Sequence, residues 1–354
     1  MKNQFFCLVM AGGKGTRFWP ESTSKKPKQY LSLLGKESLL TSSLLRVEGL
    51  IPAENRFIVT LKEQEKYARE FSVGLCAKEG LIFEPSGRNT APCILLALAH
   101  LLDNGAGLDD VVAIVPSDHV ILNEKGFRET LKICFKVAVE NQNIVTIGIN
   151  PHFPHTGYGY IQKGPAVGEA FKVLGFKEKP NLETAKEYLA SGDYFWNAGI
   201  FISQIKTLLK EFEELAPEMF RHFDSLRGNP NNLKNIYDLM PSDSIDYAIM
   251  EKSSKVMVVP SNFDWNDLGS WEALESLITQ TEGNTIVKCK ESYLENSKGN
   301  IVFAPNQLVT LLGVEDLIVV SNDKALMILP KSQSQKVKNI VEFLKKNEST
   351  KEYL

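Results

Sequence analysis

The chain has 354 residues, 43% of them apolar, which is enough for a sizeable core in one large domain or two smaller ones. Its net charge of −3 and its isoelectric point near 6.1 argue against the basic surface that binds nucleic acids. No segment approaches the ~18–20 consecutive apolar residues of a membrane-spanning helix, so we expect neither a nucleic acid nor a membrane as partner.

The N-terminal residues lead directly into an apolar run, without the segments of a signal peptide. The five cysteines are odd in number, widely spaced and free of any C-x-x-C pair. Cys7, Cys93 and Cys134 stand among apolar residues, which favours buried, reduced thiols. These observations predict a cytoplasmic protein.

The first predicted element is a buried strand, Phe5–Met10, that runs into the glycine-rich loop Ala11-Gly-Gly-Lys-Gly-Thr-Arg17. Glycine lets backbone N–H groups approach an anion closely. Lys14 and Arg17 add positive charge, and the basic stretch 25–28 brings the number of nearby cations to as many as five. We interpret the loop as a cradle for a polyphosphate, with a simple turn after the first strand as the alternative.

The loop matches neither of two common phosphate-binding motifs. It lacks the Gly-Lys-Ser/Thr ending of a P-loop, and Gly13 and Gly15 are not followed by the third glycine of G-x-G-x-x-G. A cation inside the turn is nevertheless favourable for binding an anion, so the loop remains a candidate phosphate site.

Strand-like and helix-like runs alternate through the first half of the chain. Buried strands are predicted at 56–60, 111–115 and 144–148, and helices at 91–102 and 126–140. This alternation predicts an α/β fold with a Rossmann-like mixed, mainly parallel sheet and helices on both faces. Ligands bind such sheets beyond the carboxyl ends of the strands, so the glycine loop and Asp118 should lie on that edge.

From about residue 284 the pattern changes to short β-type runs, at 301–304, 308–312, 317–320 and 325–329. They predict a small β-helix-like module with a final helix near 333–347, whose polar last residues, 345–354, should fray. We find no long internal repeat. The expected domains are therefore 1–283 and 284–354. Because stacked short strands bury little alone, we expect the module to form the interface of a homodimer.

Eight segments carry a resemblance to a known family. Gly12-Gly-Lys-Gly-Thr-Arg17 followed by Pro27-Lys-Gln29 resembles the signature of the sugar-1-phosphate nucleotidylyltransferases. Seven later segments resemble the mannose-1-phosphate guanylyltransferase branch: Glu84–Pro92, Val115–His119, Gly157–Ile161, Phe176–Pro180, Trp196–Phe201, Ser244–Glu251 and Trp265–Trp271. The resemblance covers residues 5 to about 330 and makes 1–283 the expected nucleotidyltransferase catalytic domain.

The resemblance implies transfer of GMP from GTP to α-D-mannose 1-phosphate, giving GDP-mannose and pyrophosphate. The attacking phosphate monoester is already anionic near neutral pH, because its second pKa is near ~6, so no general base is needed. The reaction needs charge neutralisation and in-line geometry, which Mg²⁺ held by one or two carboxylates provides. The resemblance assigns that metal to Asp118 and Asp267; a turn or helix-cap role is the alternative for each.

The resemblance also assigns residues to the nucleotide. Arg17 and Lys28 are the expected catalytic cations that hold the triphosphate. Other expected nucleotide-binding residues are Ala11, Gly12, Gly13, Gly15, Thr16, Glu84, Gly87, Arg88 and Asn89. Of these, the loop from Glu84 is expected to face the guanine, and Glu84 either accepts hydrogen bonds from the base or caps the helix near Thr90.

The expected ligands of the sugar phosphate are Gly159, Glu178, Lys179 and Asn197. Glu178 can accept hydrogen bonds from sugar hydroxyls, and Lys179 can pair with the phosphate. A solvated Glu178–Lys179 surface pair is the alternative. Asp246 and Glu251 fall in a matched segment but have no assigned role.

Two rival functions remain open. A related enzyme would use another sugar or base, such as glucose, fucose or heptose 1-phosphate. A non-catalytic nucleotide-sugar-binding regulatory subunit would be expected to lack one of the cations or aspartates, all of which are present here. Longer members of the family carry a C-terminal isomerase domain; this chain stops at Leu354, and we expect no isomerase activity.

Overall fold

The computed structural model describes residues 3–13, 15–228 and 232–354, so Lys14 of the glycine loop lies outside the described residues. The chain forms two compact units. The first unit comprises 1–12, 43–117 and 121–265, and the second comprises 13–42, 118–120 and 266–354. The second unit therefore combines residues from the glycine loop with the C-terminal segment, and the domain boundary at 283/284 stays a prediction.

A nine-stranded mixed sheet forms the centre of the first unit. Its strands are β1 (Phe5–Met10), β2 (Arg56–Leu61), β3 (Leu81–Glu84), β4 (Val111–Pro116), β5 (Ile144–Ile149), β6 (Tyr160–Val167), β7 (Ala170–Lys177), β8 (Tyr194–Gln204) and β9 (Val256–Pro260). They lie in the order β3-β2-β1-β4-β8-β5-β9-β7-β6. β7 and β8 run opposite to the other strands, so the mixed, mainly parallel sheet predicted from the sequence is confirmed.

Helices connect these strands, and two of the longest, α3 and α4, were predicted. The helices are α1 (Leu39–Arg46), α2 (Glu65–Phe71), α3 (Thr90–Asp103), α4 (Glu124–Asn141), α5 (Leu182–Ser191), α6 (Ile205–Leu215), α7 (Pro217–Phe220), α8 (Phe223–Leu226) and α9 (Leu233–Leu239). A π-helical turn at Asp246–Met250 precedes β9. The apolar residues of α3 are almost all buried, because this helix contributes to the core of the first unit.

The carboxyl ends of β1, β2 and β4 meet at one edge of the sheet, because the three strands are parallel. Ala11 N donates to Val59 O at 2.8 Å, and Ser117 N donates to Met10 O at 3.0 Å. The start of the glycine loop and the residue before Asp118 therefore lie on the predicted edge.

Stacked parallel strands form the C-terminal part of the second unit. β10 (Thr285–Glu295), β11 (Ile301–Leu312) and β12 (Leu317–Ser321) are parallel, and β13 (Leu326–Pro330) pairs antiparallel with β12. Thr285 pairs with Ile301, 16 positions later. The short similar stretches 283–287 and 299–303 open successive turns of the coil that β10, β11 and β12 form.

One core joins these strands to the residues that follow the glycine loop. It includes Phe18, Trp19, Leu31, Trp271, Ile301, Ile318 and Val320, together with Val337, Val341 and Leu344 of α10 (Val337–Lys346). A 3₁₀ turn at Lys331–Lys336 precedes α10, so the α-helix begins later than expected. The strands thus bury one face within their own unit.

The expectation of a frayed C-terminus is wrong for its last residues. Tyr353 and Leu354 pack against the core of the second unit. The carbonyl of Tyr353 accepts a hydrogen bond from Trp19 Nε1 at 2.9 Å. This contact ties the end of the chain to the segment after the glycine loop.

The cysteines agree with the sequence analysis. All five are unpaired, and Cys7, Cys93 and Cys134 are buried. Burial raises the pKa of Cys7 to about 12. As to membranes, none of the helices in the described part of the chain has both the length and the apolar character that a bilayer span requires.

Candidate active site

A cavity of about 360 Å³ in the second unit brings the predicted cations and carboxylates together. Its lining residues are Gly15, Thr16, Arg17, Phe18, Lys28, Asp118, His119, Asp267, Leu268, Gly269 and Lys338. Both predicted metal ligands and both predicted triphosphate cations therefore line the same space.

Lys28 is held firmly in this cavity. Its Nζ donates to Asp118 Oδ2 at 2.8 Å and to the carbonyl of Asp267 at 2.9 Å. The side chain is only 6% exposed, and the ring of Phe18 lies 5.6 Å from Nζ. A cation fixed in this way is preorganised for a negatively charged ligand.

Gly15 allows the Lys28 turn to come this close. Its φ is +56°, and a Cβ atom at this position would lie 2.2 Å from the Cβ of Lys28. Ser22 Oγ donates to Gly15 O at 2.6 Å, and Gln29 Nε2 donates to Gly13 O at 3.1 Å. Glycine is thus required at position 15 both for the left-handed backbone and for the close approach.

A short antiparallel bridge aligns the segments that carry the two aspartates. Val120 N donates to Asn266 O at 2.8 Å, and Asn266 N donates to Val120 O at 3.0 Å. Burial opposes the ionisation of Asp118, but Lys28 and His119 lower the pKa of that carboxyl below its usual value. Asp118 is therefore a carboxylate at neutral pH.

Asp118 and Asp267 fit a magnesium ion by their chemistry. Mg²⁺ prefers oxygen ligands and commonly takes one or two protein carboxylates, with phosphate oxygens and water completing its octahedron. In the part of the chain that the structure describes, no group of three or more His, Cys, Asp or Glu side chains could hold a metal. An ion on these two carboxylates would leave most of its coordination sphere to a nucleotide and water.

Arg17 is an exposed cation of the cavity. It lies on a 3₁₀ turn, Thr16–Phe18, whose backbone is closed by hydrogen bonds from Phe18 N to Gly15 O and from Trp19 N to Thr16 O. Its guanidinium makes no hydrogen bond or ion pair to any other described residue. It is thus available to a phosphate, which guanidinium can bind through two parallel hydrogen bonds.

In the first unit, Glu84 lies beneath the start of the glycine loop. Its side chain is buried, and Oε1 accepts a hydrogen bond from Tyr237 Oη at 2.5 Å. Oε2 would be 3.0 Å from a Cβ atom at Gly12. Burial raises the pKa of Glu84. The cap of α3 is Asn89, whose Oδ1 accepts from Thr90 N at 2.9 Å, so the alternative of Glu84 as the cap is wrong.

Arg88 fixes the same loop to the C-terminal end of α9. Its Nη1 donates to Met240 O at 2.7 Å, and Nη2 lies 3.5 Å from Asp238 Oδ1. A Cβ atom at Gly87 would meet only the side chain of Leu61, at 3.8 Å. Arg88 and Asn89 therefore shape this loop, and contact with guanine stays a prediction.

The four predicted sugar-phosphate ligands lie together in the first unit. A Cβ atom at Gly159 would lie 2.6 Å from Glu178 Oε2 and 3.2 Å from Asn197 Cβ, so a side chain at this position would displace the Glu178 carboxylate. Lys179 forms an ion pair with Glu178, and the Glu178 side chain is only 9% exposed. The carboxylate of this pair is thus buried, whereas the Lys179 side chain is 59% exposed.

Asp246 and Glu251, which lacked a role, orient two of these ligands. Asn197 Nδ2 donates to Asp246 Oδ1 at 3.1 Å, and Glu178 N donates to Glu251 Oε1 at 3.0 Å. Burial and the neighbouring carboxylate of Glu178 raise the pKa of Asp246 to about 6, although Lys179 and Asn197 act in the opposite direction. The π-helical turn that begins at Asp246 is of a kind often found at functional sites.

The sequence analysis missed Lys338 and the roles of Asp246, Glu251 and Tyr237. No motif surrounds Lys338, and the helix predicted near 333–347 did not place it in a first turn; only the observed start of α10 at Val337 does so. The other three depend on contacts between residues far apart in sequence, which spacing alone does not reveal.

Comparison with known proteins identifies the class. Residues 6–284 match the family described as nucleotidyl transferase, and residues 294–344 match the MannoseP isomerase/GMP-like beta-helix domain. The chain therefore belongs to the nucleotidyl transferase family, and the predicted resemblance is confirmed. The second match also confirms the β-helix-like nature of the C-terminal strands.

Similar proteins within this family have a more specific name. Proteins from Escherichia coli and Salmonella muenchen, both called mannose-1-phosphate guanylyltransferase, are each 36% identical to this chain. The matches cover 97% and 96% of this chain and 74% and 73% of those proteins. A crystal structure from Thermus thermophilus, described as a mannose-1-phosphate geranyltransferase, has 34% identity and a TM-score of 0.90, covering 97% of this chain and 99% of its own.

Proposed function

We propose that this enzyme transfers GMP from GTP to α-D-mannose 1-phosphate, forming GDP-mannose and releasing pyrophosphate. The main support for the proposal is that Arg17, Lys28, Asp118 and Asp267 line one cavity. Two cations and two carboxylates in one space suit a metal-bound triphosphate better than any neutral ligand. The names of the relatives supply the sugar and the base.

In this proposal Arg17 and Lys28 bind the triphosphate. Lys28 is already fixed by Asp118 and by the carbonyl of Asp267, so little reorganisation is needed when charge develops during the reaction. Mg²⁺ on Asp118 and Asp267 would neutralise phosphate charge and make the phosphorus more electrophilic. The sugar phosphate is itself the nucleophile, and no residue has to remove a proton from it.

The sugar phosphate is assigned to Gly159, Glu178, Lys179 and Asn197. Glu178 accepts hydrogen bonds from the hexose hydroxyls, and Lys179 pairs with the phosphate. Asn197 is held by Asp246 on one side and by Gly199 N, which donates to its Oδ1 at 3.0 Å, on the other. Such fixed polar groups can distinguish hydroxyl configurations, because a wrong sugar leaves them unpaired.

Base recognition is assigned to the loop from Glu84 to Asn89. Guanine presents donors at N1 and at its 2-amino group, so an acceptor on the protein has to meet them. The carboxylate of Glu84 already accepts from Tyr237 and lies close to Gly12. The carbonyls of the loop are therefore the better candidates for the guanine donors, with Glu84 supporting the loop.

The proposal includes Mg²⁺ as cofactor, a homodimer and a cytoplasmic location. GTP and sugar phosphates are cytoplasmic metabolites, and five unpaired cysteines are compatible with a reducing compartment.

The test is pyrophosphate release with Mg²⁺, crossing mannose and glucose 1-phosphates against GTP, ATP, UTP and dTTP. We expect preferential release with GTP and mannose 1-phosphate. Asp118→Asn and Asp267→Asn should each lower kcat by ~10²–10³. Asp323→Asn, a change at an exposed acid of the same unit outside the cavity, should leave it unchanged.

Two outcomes would contradict parts of the proposal. Release with another substrate pair would retain the phosphate assignments and replace the sugar and the base. A folded protein that binds GTP but releases no pyrophosphate with any pair would instead be a regulatory subunit.

A further inference from the structure

A lysine from the final helix lines the phosphate cavity. Lys338 is the second residue of α10 and lies on the same cavity wall as Arg17, Lys28 and Asp118. Its side chain is exposed and makes no hydrogen bond or ion pair to any residue in the described ranges. An ammonium group without an ion-pair partner among the described residues thus lines the same cavity as the residues assigned to the metal and the phosphates.

The backbone of Lys338 is held firmly, although its side chain is free. Its neighbour Val337 is 1% exposed and belongs to the core, as do Val341 and Leu344 one and two turns later. α10 also packs against the 3₁₀ turn that carries Arg17. The ammonium group is therefore tethered to a fixed point from which its flexible stem can follow a ligand.

The local electrostatics at the start of α10 oppose a lysine. The N-terminal turn of a helix carries partial positive charge and favours acidic residues. Neither α10 nor the preceding 3₁₀ turn, Lys331–Lys336, has an acidic residue in its first turn. Lys336 and Lys338 instead flank the start of the helix. A residue that lowers local stability is often retained because it has a function. A bound anion would offset the repulsion between these lysines and the positive end of the helix dipole.

The other charges in the cavity leave Lys338 available to the β- and γ-phosphates of a nucleotide. Lys28 already forms an ion pair with Asp118, whereas Arg17 and Lys338 form none with any described residue. A divalent ion on Asp118 and Asp267 would make the net charge of these lining residues more positive, so Arg17 and Lys338 are the described lining cations that remain for phosphate oxygens. We propose that Lys338 binds the β- and γ-phosphates of the nucleotide and the pyrophosphate that leaves. This inference rests on the proposed function and makes the C-terminal helix part of the phosphate site.

The first experiment measures binding without turnover. Pyrophosphate with Mg²⁺ is titrated into the wild type, Lys338→Gln, Lys338→Arg and Lys346→Gln by calorimetry. Lys346 is the matched control, because it is an exposed lysine on the same helix and does not line the cavity. We expect Lys338→Gln to weaken pyrophosphate binding ~10–100-fold, Lys338→Arg to restore most of it, and Lys346→Gln to match the wild type.

The second experiment is kinetic and separates the two substrates. Lys338→Gln should raise KM for GTP in the forward reaction and KM for pyrophosphate in the reverse reaction. KM for mannose 1-phosphate should stay unchanged. Equal pyrophosphate affinity in the wild type and Lys338→Gln, with wild-type turnover intact, would overturn the role of Lys338 alone. A folded wild type that neither binds nor releases pyrophosphate would overturn both this inference and the proposed function.

Discussion

Asp246 illustrates at the scale of a single residue how a buried carboxyl orients another polar group. It accepts from Asn197 while Glu178 lies close enough to disfavour its ionisation. Asn197 needs a defined orientation, because its amide presents a donor and an acceptor that are not interchangeable. The acceptor at Asp246 fixes that orientation.

Asp246→Asn is expected to change the pH dependence of stability. The folded-state pKa is raised from 3.8 to about 6, so between these values the folded protein holds a proton that the unfolded chain releases. This bound proton stabilises the folded protein. The stabilisation is fully present below pH 3.8 and is lost as the pH rises through about 6. The free energy of unfolding of Asp246→Asn, relative to that of the wild type, should therefore rise by about 2.4 kcal/mol between pH 4 and pH 7.

Urea denaturation at both pH values measures this difference. Asp323→Asn serves as the control, because that carboxylate is exposed and bonds only to the Asn306 side chain among the described residues. A constant difference between Asp246→Asn and the wild type across this range would show that Asp246 has an ordinary pKa.

Single-residue roles were predictable where the chemistry lies in a short contiguous segment. Gly15 and Arg17 share one loop, and Asp118 directly follows a buried strand, so spacing and charge identified them as candidates. Asp246 required a partner that is 49 positions away. Lys338 lines the cavity only because α10 packs there in the folded protein. No sequence motif contains this lysine, so the sequence predicted no more than its place in a final helix.

At the scale of elements, the stacked strands of the second unit depend on a pair of buried asparagines. Asn300 Nδ2 donates to Asn284 Oδ1 at 2.8 Å and to Val314 O at 2.9 Å. Its Oδ1 accepts from Leu317 N at 2.9 Å. Both asparagines are fully buried, so each turn of the coil is linked to the next by amide groups that water does not reach.

Asn300→Ala should therefore destabilise the protein by about 3–5 kcal/mol, because it removes the three hydrogen bonds of a fully buried amide side chain. Thermal and urea unfolding of the purified variant measure the loss. Asn306→Ala is the matched control on the same strand, since Asn306 is exposed and bonds to an exposed aspartate. Equal stability of the two variants would mean that the asparagine pair does not hold the coil together.

The repeat behind this coil was difficult to recognise from the sequence. A spacing of 16 residues is neither the period of a strand nor that of a helix, so periodicity predicted separate short strands. Gly-Asn opens the stretches at 283 and 299, but Asp316-Leu317 stands at the third position. Asp316 has a positive φ of 53°, and Gly299 has a positive φ of 67°. The turn is therefore kept, although the Gly-Asn sequence that marks it is lost.

At the scale of the whole molecule, the outer face of β13 is apolar. Leu326 and Ile328 are 61% and 57% exposed, and β13 is an edge strand of the four-stranded sheet. Exposed apolar edge strands invite pairing with another chain. This face is the best location for the homodimer expected from the sequence.

We predict that the wild type forms a particle of about twice 39.6 kDa at micromolar concentration, by light scattering. Ile328→Lys should shift it towards the monomer, because an ammonium group would be buried in the interface. Leu174→Lys, at a leucine of the first unit that is 64% exposed, should leave the dimer intact. A wild-type particle of 39.6 kDa would exclude the homodimer.

The discontinuous second unit has a consequence for synthesis on the ribosome. Chains grow at ~5–20 residues per second, so tens of seconds separate the emergence of Lys28 from that of Lys338. Phe18, Trp19 and Leu31 cannot be covered by their core during that interval, because Ile318 and Val337 have not yet been made. The nascent chain must carry these side chains unburied, and the cavity lined by Lys28 and Lys338 is completed only after α10 has been translated.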